Sequence, residues 1–225
     1  MSENEEQAGQ REYMVREQIE RRGIKDPLVL AAMLAVPRHE FVPEDQRHWA
    51  YSDGALRIEL GQTISQPYIV ALMTELMQLQ GNEIVLEVGT GSGYQAAVLA
   101  QIVAQVHTIE RHAPLAKSAQ QKLASMGITN VQVHIGDGTL GLSDFAPFQA
   151  IMVTAAAPKI PETLLNQLDD GGRLVIPVGG KYSQTLEVWR REGSEFTNKT
   201  ITAVAFVPLL GDAGWKEKDW KKFRL

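Results

Sequence analysis

Three glycines spaced by two, Gly89, Gly91 and Gly93, close the apolar run Ile84-Val85-Leu86-Glu87-Val88 and lead into a helical stretch that starts near Tyr94. A buried strand that turns tightly into a helix is where α/β proteins hold nucleotide-like ligands. Glycine lets the backbone approach the ligand, and the helix start points unpaired N–H groups into the turn. Two carboxylates sharpen this expectation. Glu87 lies inside the strand, where a charge is costly without a partner. Glu110 ends the next apolar run, Val106-His107-Thr108-Ile109, about twenty residues past the turn, where an acid that binds ribose hydroxyls belongs. Gly136-Asp137-Gly138 follows a third apolar run. There Asp137 is either an acceptor for an adenine amine or an ordinary turn aspartate. Position 94, where a dinucleotide fingerprint has its last glycine, is Tyr94, which leaves less room for a pyrophosphate against the helix.

Ser65 stands in Gly61-Gln62-Thr63-Ile64-Ser65-Gln66-Pro67-Tyr68, just before an apolar helical run over residues 69–79. With Pro67 beyond it, Ser65 reads as an N-cap. The same helix start is a ready anion site, where a substrate carboxylate could be held by backbone N–H groups and the helix dipole. No Gly-x-Ser-x-Gly elbow surrounds it, which disfavours hydrolase chemistry. The histidines at 39, 48, 107, 112 and 134 show no metal spacing and there are no cysteines, so no metal site is expected.

The elements that position these residues follow in order. Residues 1–10 are polar and acidic and read as a disordered leader, not a signal peptide. Met14, Val15, Gln18 and Ile19 form the apolar stripe of an amphipathic helix over 11–22 that Gly23 ends. Asp26-Pro27 caps a second helix over 28–36. Residues 38–61 carry no trusted periodicity. Past the glycine turn come helices over 95–103, 114–126 and 161–168. They alternate with strands over 106–109, 131–135, 150–153 and 173–178. Thr154-Ala155-Ala156-Ala157-Pro158, at one strand end, leaves space for a flat ligand. Residues 185–191 and 196–206 alternate as antiparallel strands closing one edge. The pattern predicts an α/β fold: a Rossmann-like, doubly wound, mostly parallel sheet with N-terminal helices and an antiparallel edge.

At 225 residues, 24.9 kDa and 44% hydrophobic, the chain can bury one sizeable core, whereas two domains would both be small. A single domain over 11–225 is therefore expected, divided into an N-terminal helical and substrate segment (11–80), a cofactor-binding core (81–180) and C-terminal strands with a tail (181–225). The formal net charge of −5 disfavours a general nucleic-acid or anionic-membrane surface. No run approaches the length of a membrane-spanning helix. A soluble cytoplasmic protein follows, and a monomer is expected. The tail from Trp215 mixes Trp215, Trp220 and Phe223 with lysines and Arg224, and is read as capping the core rather than touching nucleic acid.

The glycine pattern resembles that of class I S-adenosylmethionine-dependent methyltransferases, whose cofactor has a ribose and no phosphate. More particular segments occur in order: Gln62-Thr63-Ile64-Ser65-Gln66-Pro67, Leu86-Glu87-Val88-Gly89-Thr90-Gly91-Ser92-Gly93-Tyr94, Gly136-Asp137-Gly138, Ala155-Ala156-Ala157-Pro158, Gly171-Gly172-Arg173-Leu174-Val175-Ile176-Pro177-Val178-Gly179 and Phe206-Val207-Pro208-Leu209. Together they resemble the protein-L-isoaspartate O-methyltransferase family, in its shorter microbial form, over residues 11–215.

The resemblance implies methyl transfer from S-adenosyl-L-methionine to the α-carboxylate of L-isoaspartyl residues in damaged proteins and peptides. The ester then closes to a succinimide that hydrolyses partly to normal aspartate. It implies Ser65 as the catalytic, acceptor-orienting residue, with Thr63 and Ile64 beside it. Tyr68, where some relatives carry histidine, is a further substrate contact. Gly89 and Gly91 would approach the methionine part of the cofactor, Glu110 the ribose, and Asp137 and Gly138 the adenine, with Glu87, Thr90 and Arg111 completing the cofactor set. Val207, Pro208 and Leu209 would line the peptide side or form an apolar core strand. A methyltransferase with another acceptor, an NAD-binding oxidoreductase, which the glycine spacing disfavours, and a non-catalytic cofactor-binding module are the alternatives.

Overall fold

The structure, a computed structural model, describes residues 3–218. Helices α1 (Glu3–Tyr13) and α2 (Pro27–Ala35) precede a small antiparallel pair, β1 (Leu56–Arg57) and β2 (Thr63–Ile64), and then helix α3 (Pro67–Leu76). Strand β3 (Ile84–Val88) is followed by α4 (Tyr94–Ala100), β4 (Gln105–Glu110), α5 (Ala113–Ser125), β5 (Val131–Ile135), β6 (Phe148–Val153), α6 (Glu162–Asn166), β7 (Leu168–Gly179), β8 (Gln184–Glu192) and β9 (Glu195–Val204). The main sheet has seven strands in the order β5-β4-β3-β6-β7-β8-β9. Pairings from β5 through β7 are parallel, and β8 and β9 add antiparallel to that edge. The expected doubly wound sheet with an antiparallel edge is what the chain forms. Among the described residues, no helix is long and apolar enough to cross a membrane.

Both faces of the sheet are covered, which is why β3 reads as a continuous apolar run and not an alternating one. Val85 packs with Val70, Ala71 and Met73 of α3, Ala96 to Leu99 of α4, and Val29 and Met33 of α2. Leu86 and Val88 face the other way, onto Leu164 and Leu165 of α6, Ile151 and Val153 of β6, and Ile109. Asp26 caps α2 as its sequence predicts, its carboxylate accepting from the Leu28 N–H at 2.8 Å, with Pro27 at the first helical position.

Three local expectations are corrected. Residues 3–10, expected to be disordered, belong to α1, whose path continues through a wide turn, Met14–Ile19, that buries Met14, Val15 and Ile19. Glu, Gln and Ala are good helix formers, the glutamates complement the positive end of the dipole, and the packed segment downstream supplies the nucleus. Met1 and Ser2 lie outside the described residues. The cap of α3 is Gln66 and not Ser65, and it makes no side-chain cap bond. Strand β7 begins at Leu168, before the Asp-Gly-Gly turn signal, because Leu168 already pairs with Phe148 across an irregularity in the β6–β7 register. In the tail, Trp215 folds back, its N–H on the Leu209 carbonyl at 2.8 Å; Trp220, Phe223 and Arg224 lie outside the described residues.

Phe148 is fully buried in the layer that β6 shares with α6. Phe148→Ala is expected to lower unfolding free energy by about 3–5 kcal/mol, read from urea denaturation, because the surrounding strands cannot collapse into the space left behind.

Candidate active site

The chain leaves β3 toward β4 and later returns on the opposite side of β3 as β6, so the carboxyl ends of β3 and β6 flank a crevice. Gly89, the first residue past β3, has φ +102, and a Cβ on it would lie 2.4 Å from the Thr154 hydroxyl. That hydroxyl, just past the end of β6, donates to the Gly89 carbonyl at 2.7 Å or the Val88 carbonyl at 3.0 Å. The Gly89 N–H donates to the Ile109 carbonyl at 2.9 Å. On the other wall, a Cβ at Gly138 would come within 2.5 Å of Val88 Cγ1, so only glycine lets this loop close on β3.

The result is an open cleft lined by Gly89, Gly91, Glu110, Arg111, Gly138 and Thr154, together with Thr63, Val207, Pro208 and Leu209. Glu110 holds the turn as well as lining the cleft: Oε2 accepts the Gly91 N–H at 3.0 Å and Oε1 the His112 N–H at 2.9 Å. A carboxylate oxygen accepts more than one donor, so both can still take a ligand hydroxyl.

Asp137 also accepts bonds from the chain itself. Its Oδ1 accepts from the Thr139 N–H (2.9 Å) and hydroxyl (2.7 Å), and its Oδ2 accepts from the Asp212 N–H (2.7 Å). Burial pushes its pKa up, but these bonds and the Arg111 charge outweigh burial and hold it below the ordinary carboxylate value. The turn-aspartate reading describes this geometry. Asp137 ties the 211–213 loop to the loop that follows β5, and Gly138 is the residue at the cleft wall.

Two further cavities meet at the segment after β2. A small chamber is bounded by Thr63, Ile64, Ser65, Glu87, Thr90 and Tyr94, with Thr154 shared with the cleft. A surface groove is bounded by Asp53, Gly54, Ser65, Gln66 and residues 203–206. Thr63 touches all three spaces, and Ser65 stands between chamber and groove with a hydroxyl that makes no hydrogen bond to any described residue. Glu87 and Thr90 are buried behind the turn, where the Thr108 hydroxyl donates to Glu87 Oε2 at 2.5 Å and lies 2.6 Å from the Thr90 hydroxyl. Glu87 Oε1 has no partner. Burial pushes the Glu87 carboxyl up to about 8; the Thr108 bond opposes this and Glu110 adds to it.

Other expected contacts fall elsewhere. Tyr68 lies under the Arg22 guanidinium, 3.6 Å from its ring centroid, and is absent from the walls of all three cavities. Val207 and Leu209 pair through their backbones with Ala156, at 2.8 Å in both directions, so those groups are not open to a peptide. The groove side is formed instead by residues 203–206. Arg38, in a stretch without a readable pattern, is fully buried and donates to the Ser65 carbonyl at 2.7 Å. Arginine is expected on surfaces, and no spacing marked it. His112 was likewise unmarked as a cleft residue, whereas Thr154 and Ala155 fall in the small-residue strand end expected to leave space for a ligand.

The unfolded Glu87 carboxyl titrates near 4.5 and the folded one near 8. The folded state therefore binds more protons between these values. The stability from this site is full below the lower value and is lost as pH rises through the upper one. Glu87→Gln cannot ionise, so between about pH 6.5 and pH 9 the stability difference should move in its favour by about 1–2 kcal/mol in urea titrations. An unchanged difference would place that ionisation elsewhere.

The protein-L-isoaspartate(D-aspartate) O-methyltransferase (PCMT) family matches residues 9–214. A protein-L-isoaspartate O-methyltransferase from Roseiflexus sp. (strain RS-1) is 57% identical over 194 residues, 86% of this chain and 89% of the relative. One from Herpetosiphon aurantiacus is 52% identical over 207 residues, 92% of each. Among solved structures, a protein-L-isoaspartate O-methyltransferase superposes with TM-score 0.83 at 29% identity, covering 91% of this chain and 67% of that one. A Plasmodium falciparum structure described as a beta-aspartate methyltransferase (PCMT), in complex with S-adenosyl-L-homocysteine, superposes with TM-score 0.78 at 26% identity, covering 89% and 98%. With the family matching residues 9–214 and relatives more than half identical along most of its length, the chain belongs to the protein-L-isoaspartate(D-aspartate) O-methyltransferase family.

Proposed function

We propose that this protein transfers a methyl group from S-adenosylmethionine to the α-carboxylate of L-isoaspartyl residues in damaged proteins, the step that opens their repair through a succinimide. The observation that carries the reading is the place of Ser65, whose unpartnered hydroxyl separates the chamber behind the glycine turn from the surface groove. Bound in the cleft, the cofactor supplies an electrophilic methyl on a sulfonium whose sulfur leaves as a neutral thioether.

The cleft residues suit that cofactor. Glu110 retains acceptor capacity for two ribose hydroxyls, Gly89 and Gly91 keep side chains out of the floor, Gly138 closes the wall, and Arg111 stands at the mouth. An acceptor carboxyl with an ordinary pKa near 4 is already ionised at neutral pH, so no residue has to remove a proton. What the chain supplies is alignment, which can contribute up to about 7–11 kcal/mol. Ser65 donates to the acceptor carboxylate and orients it, with Thr63 and Ile64 beside it. Glu87, neutral at pH 7, adds no repulsion toward an incoming anion. Residues 203–206 and Gln66 hold the peptide. We further infer one domain over residues 11–225 that acts as a cytoplasmic monomer on proteins, not on nucleic acids or membranes. The net charge of −5 supports the choice of partner.

Radiolabelled S-adenosylmethionine and two peptides that differ only in isoaspartate or aspartate at one position test the reaction. Base-labile label is expected on the isoaspartyl peptide alone, and label on neither would require another acceptor. Ser65→Ala should lower kcat by at least about tenfold while leaving the cofactor Kd within about twofold; equal losses in both would remove the assigned role. Glu110→Ala should weaken cofactor binding by about 1–3 kcal/mol in calorimetry, the scale of a lost charged hydrogen bond.

A further inference from the structure

Arg38 brings a positive charge into the interior beside the acceptor segment. It opens a single turn, Arg38–Phe41, after Pro37 and is fully buried. Its Nε donates to the Ala50 carbonyl at 2.8 Å and Nη2 to the Ser65 carbonyl at 2.7 Å. The guanidinium carbon lies 4.9 Å from the Tyr94 ring centroid. Among the described residues no carboxylate forms an ion pair with it. Its third nitrogen, Nη1, is buried without a partner. Burial lowers its pKa to about 10, so it remains a cation at neutral pH. A buried charge without a counter-ion is expensive, and two carbonyls and a ring face compensate it only in part.

The bond to Ser65 has a geometric consequence. A trans peptide is planar, with its C=O and the following N–H directed oppositely. With the Ser65 carbonyl drawn inward to Arg38, the Gln66 N–H on the same peptide is turned outward. No described backbone group accepts that N–H, and Ser65 and Gln66 both line the groove. Gln66 is also the N-cap of α3 and makes no side-chain cap bond. An outward N–H, a ten-residue helix start without a side-chain cap and a buried cation only partly compensated behind them all favour an anion at one place.

We propose that Arg38 is a positioning residue for methyl transfer: by holding the Ser65 carbonyl inward it turns the Gln66 N–H toward the groove, where with the Ser65 hydroxyl it receives the acceptor carboxylate. This rests on the reading of the groove as the acceptor's entry. Arg38 does not touch the acceptor. It sets the peptide plane that does, and its charge stabilises the anion from behind.

Arg38→Met keeps the side-chain length and removes both donors and charge, whereas Arg38→Lys keeps the charge and one donor. In Arg38→Met, kcat/KM for the isoaspartyl peptide should fall by about tenfold to a hundredfold while the cofactor Kd stays within about threefold, and Arg38→Lys should recover part of the loss. A second measurement uses the wild-type protein, so it does not depend on how well the variants fold. The Gln66 amide resonance should shift on addition of isoaspartyl peptide and stay in place with the aspartyl peptide. A stationary Gln66 amide at saturating isoaspartyl peptide overturns the proposal. So does an Arg38→Met variant that either retains kcat/KM or loses cofactor affinity in the same proportion. Wild-type protein that methylates neither peptide overturns instead the acceptor reading beneath it.

Discussion

The turn after β3 is held from three sides, and the site depends on that restraint. The Gly89 N–H reaches the neighbouring strand at Ile109, the Thr154 hydroxyl takes the carbonyls of Val88 and Gly89 from the other neighbour, and Glu110 accepts the Gly91 N–H across the turn. Each partner lies at the carboxyl end of a parallel strand beside β3. A turn tied to β4 and β6 together cannot shift without disturbing the sheet register, so the crevice between them is preformed. Glu110 makes the coupling explicit, because the same two oxygens that fix the Gly91 and His112 amides remain available to hydroxyls of a ligand.

The buried ionisable groups around this turn are handled in opposite ways, and both choices suit an anionic acceptor. Burial raises the pKa of Glu87 to about 8, which disfavours a negative charge on the chamber wall. Burial also lowers the pKa of Arg38, but from so high a starting value that the charge survives. Arg38 therefore keeps a positive charge in the interior next to Ser65 although the whole chain is acidic. The Asp137 carboxyl is held below its ordinary value, and its oxygens accept from Thr139 and Asp212.

The fold was legible because it rests on local rules. Period, proline and glycine placement and caps located α2, α4 and α5 and the parallel strands to within a few residues, and the β8–β9 edge announced itself by alternation. The glycine turn, Glu110 and the Thr63-Ile64-Ser65 segment were marked by residue type and spacing; Glu110 lines the cleft, Ile64 and Ser65 the chamber, and Gly89, Gly91 and Thr63 both. Asp137 and Ser65 show where such signals divide. Each had two local readings, and only the contacts decided that Asp137 ties down a neighbouring loop while Ser65 is not the cap of α3.

From sequence alone came the class of fold, the cofactor chemistry that a glycine turn with a following acid can hold, and the family resemblance, since these depend on residues close together in the chain. Tertiary structure alone decided which segments face the groove, that Val207 and Leu209 are paired to Ala156, that Tyr68 stacks under Arg22, and that Arg38 is buried against Ser65. Those facts arise from contacts between residues far apart in sequence. An arginine's burial, a glutamate's protonation and the direction of a peptide plane are set by what the fold packs against them, and no local pattern carries that information.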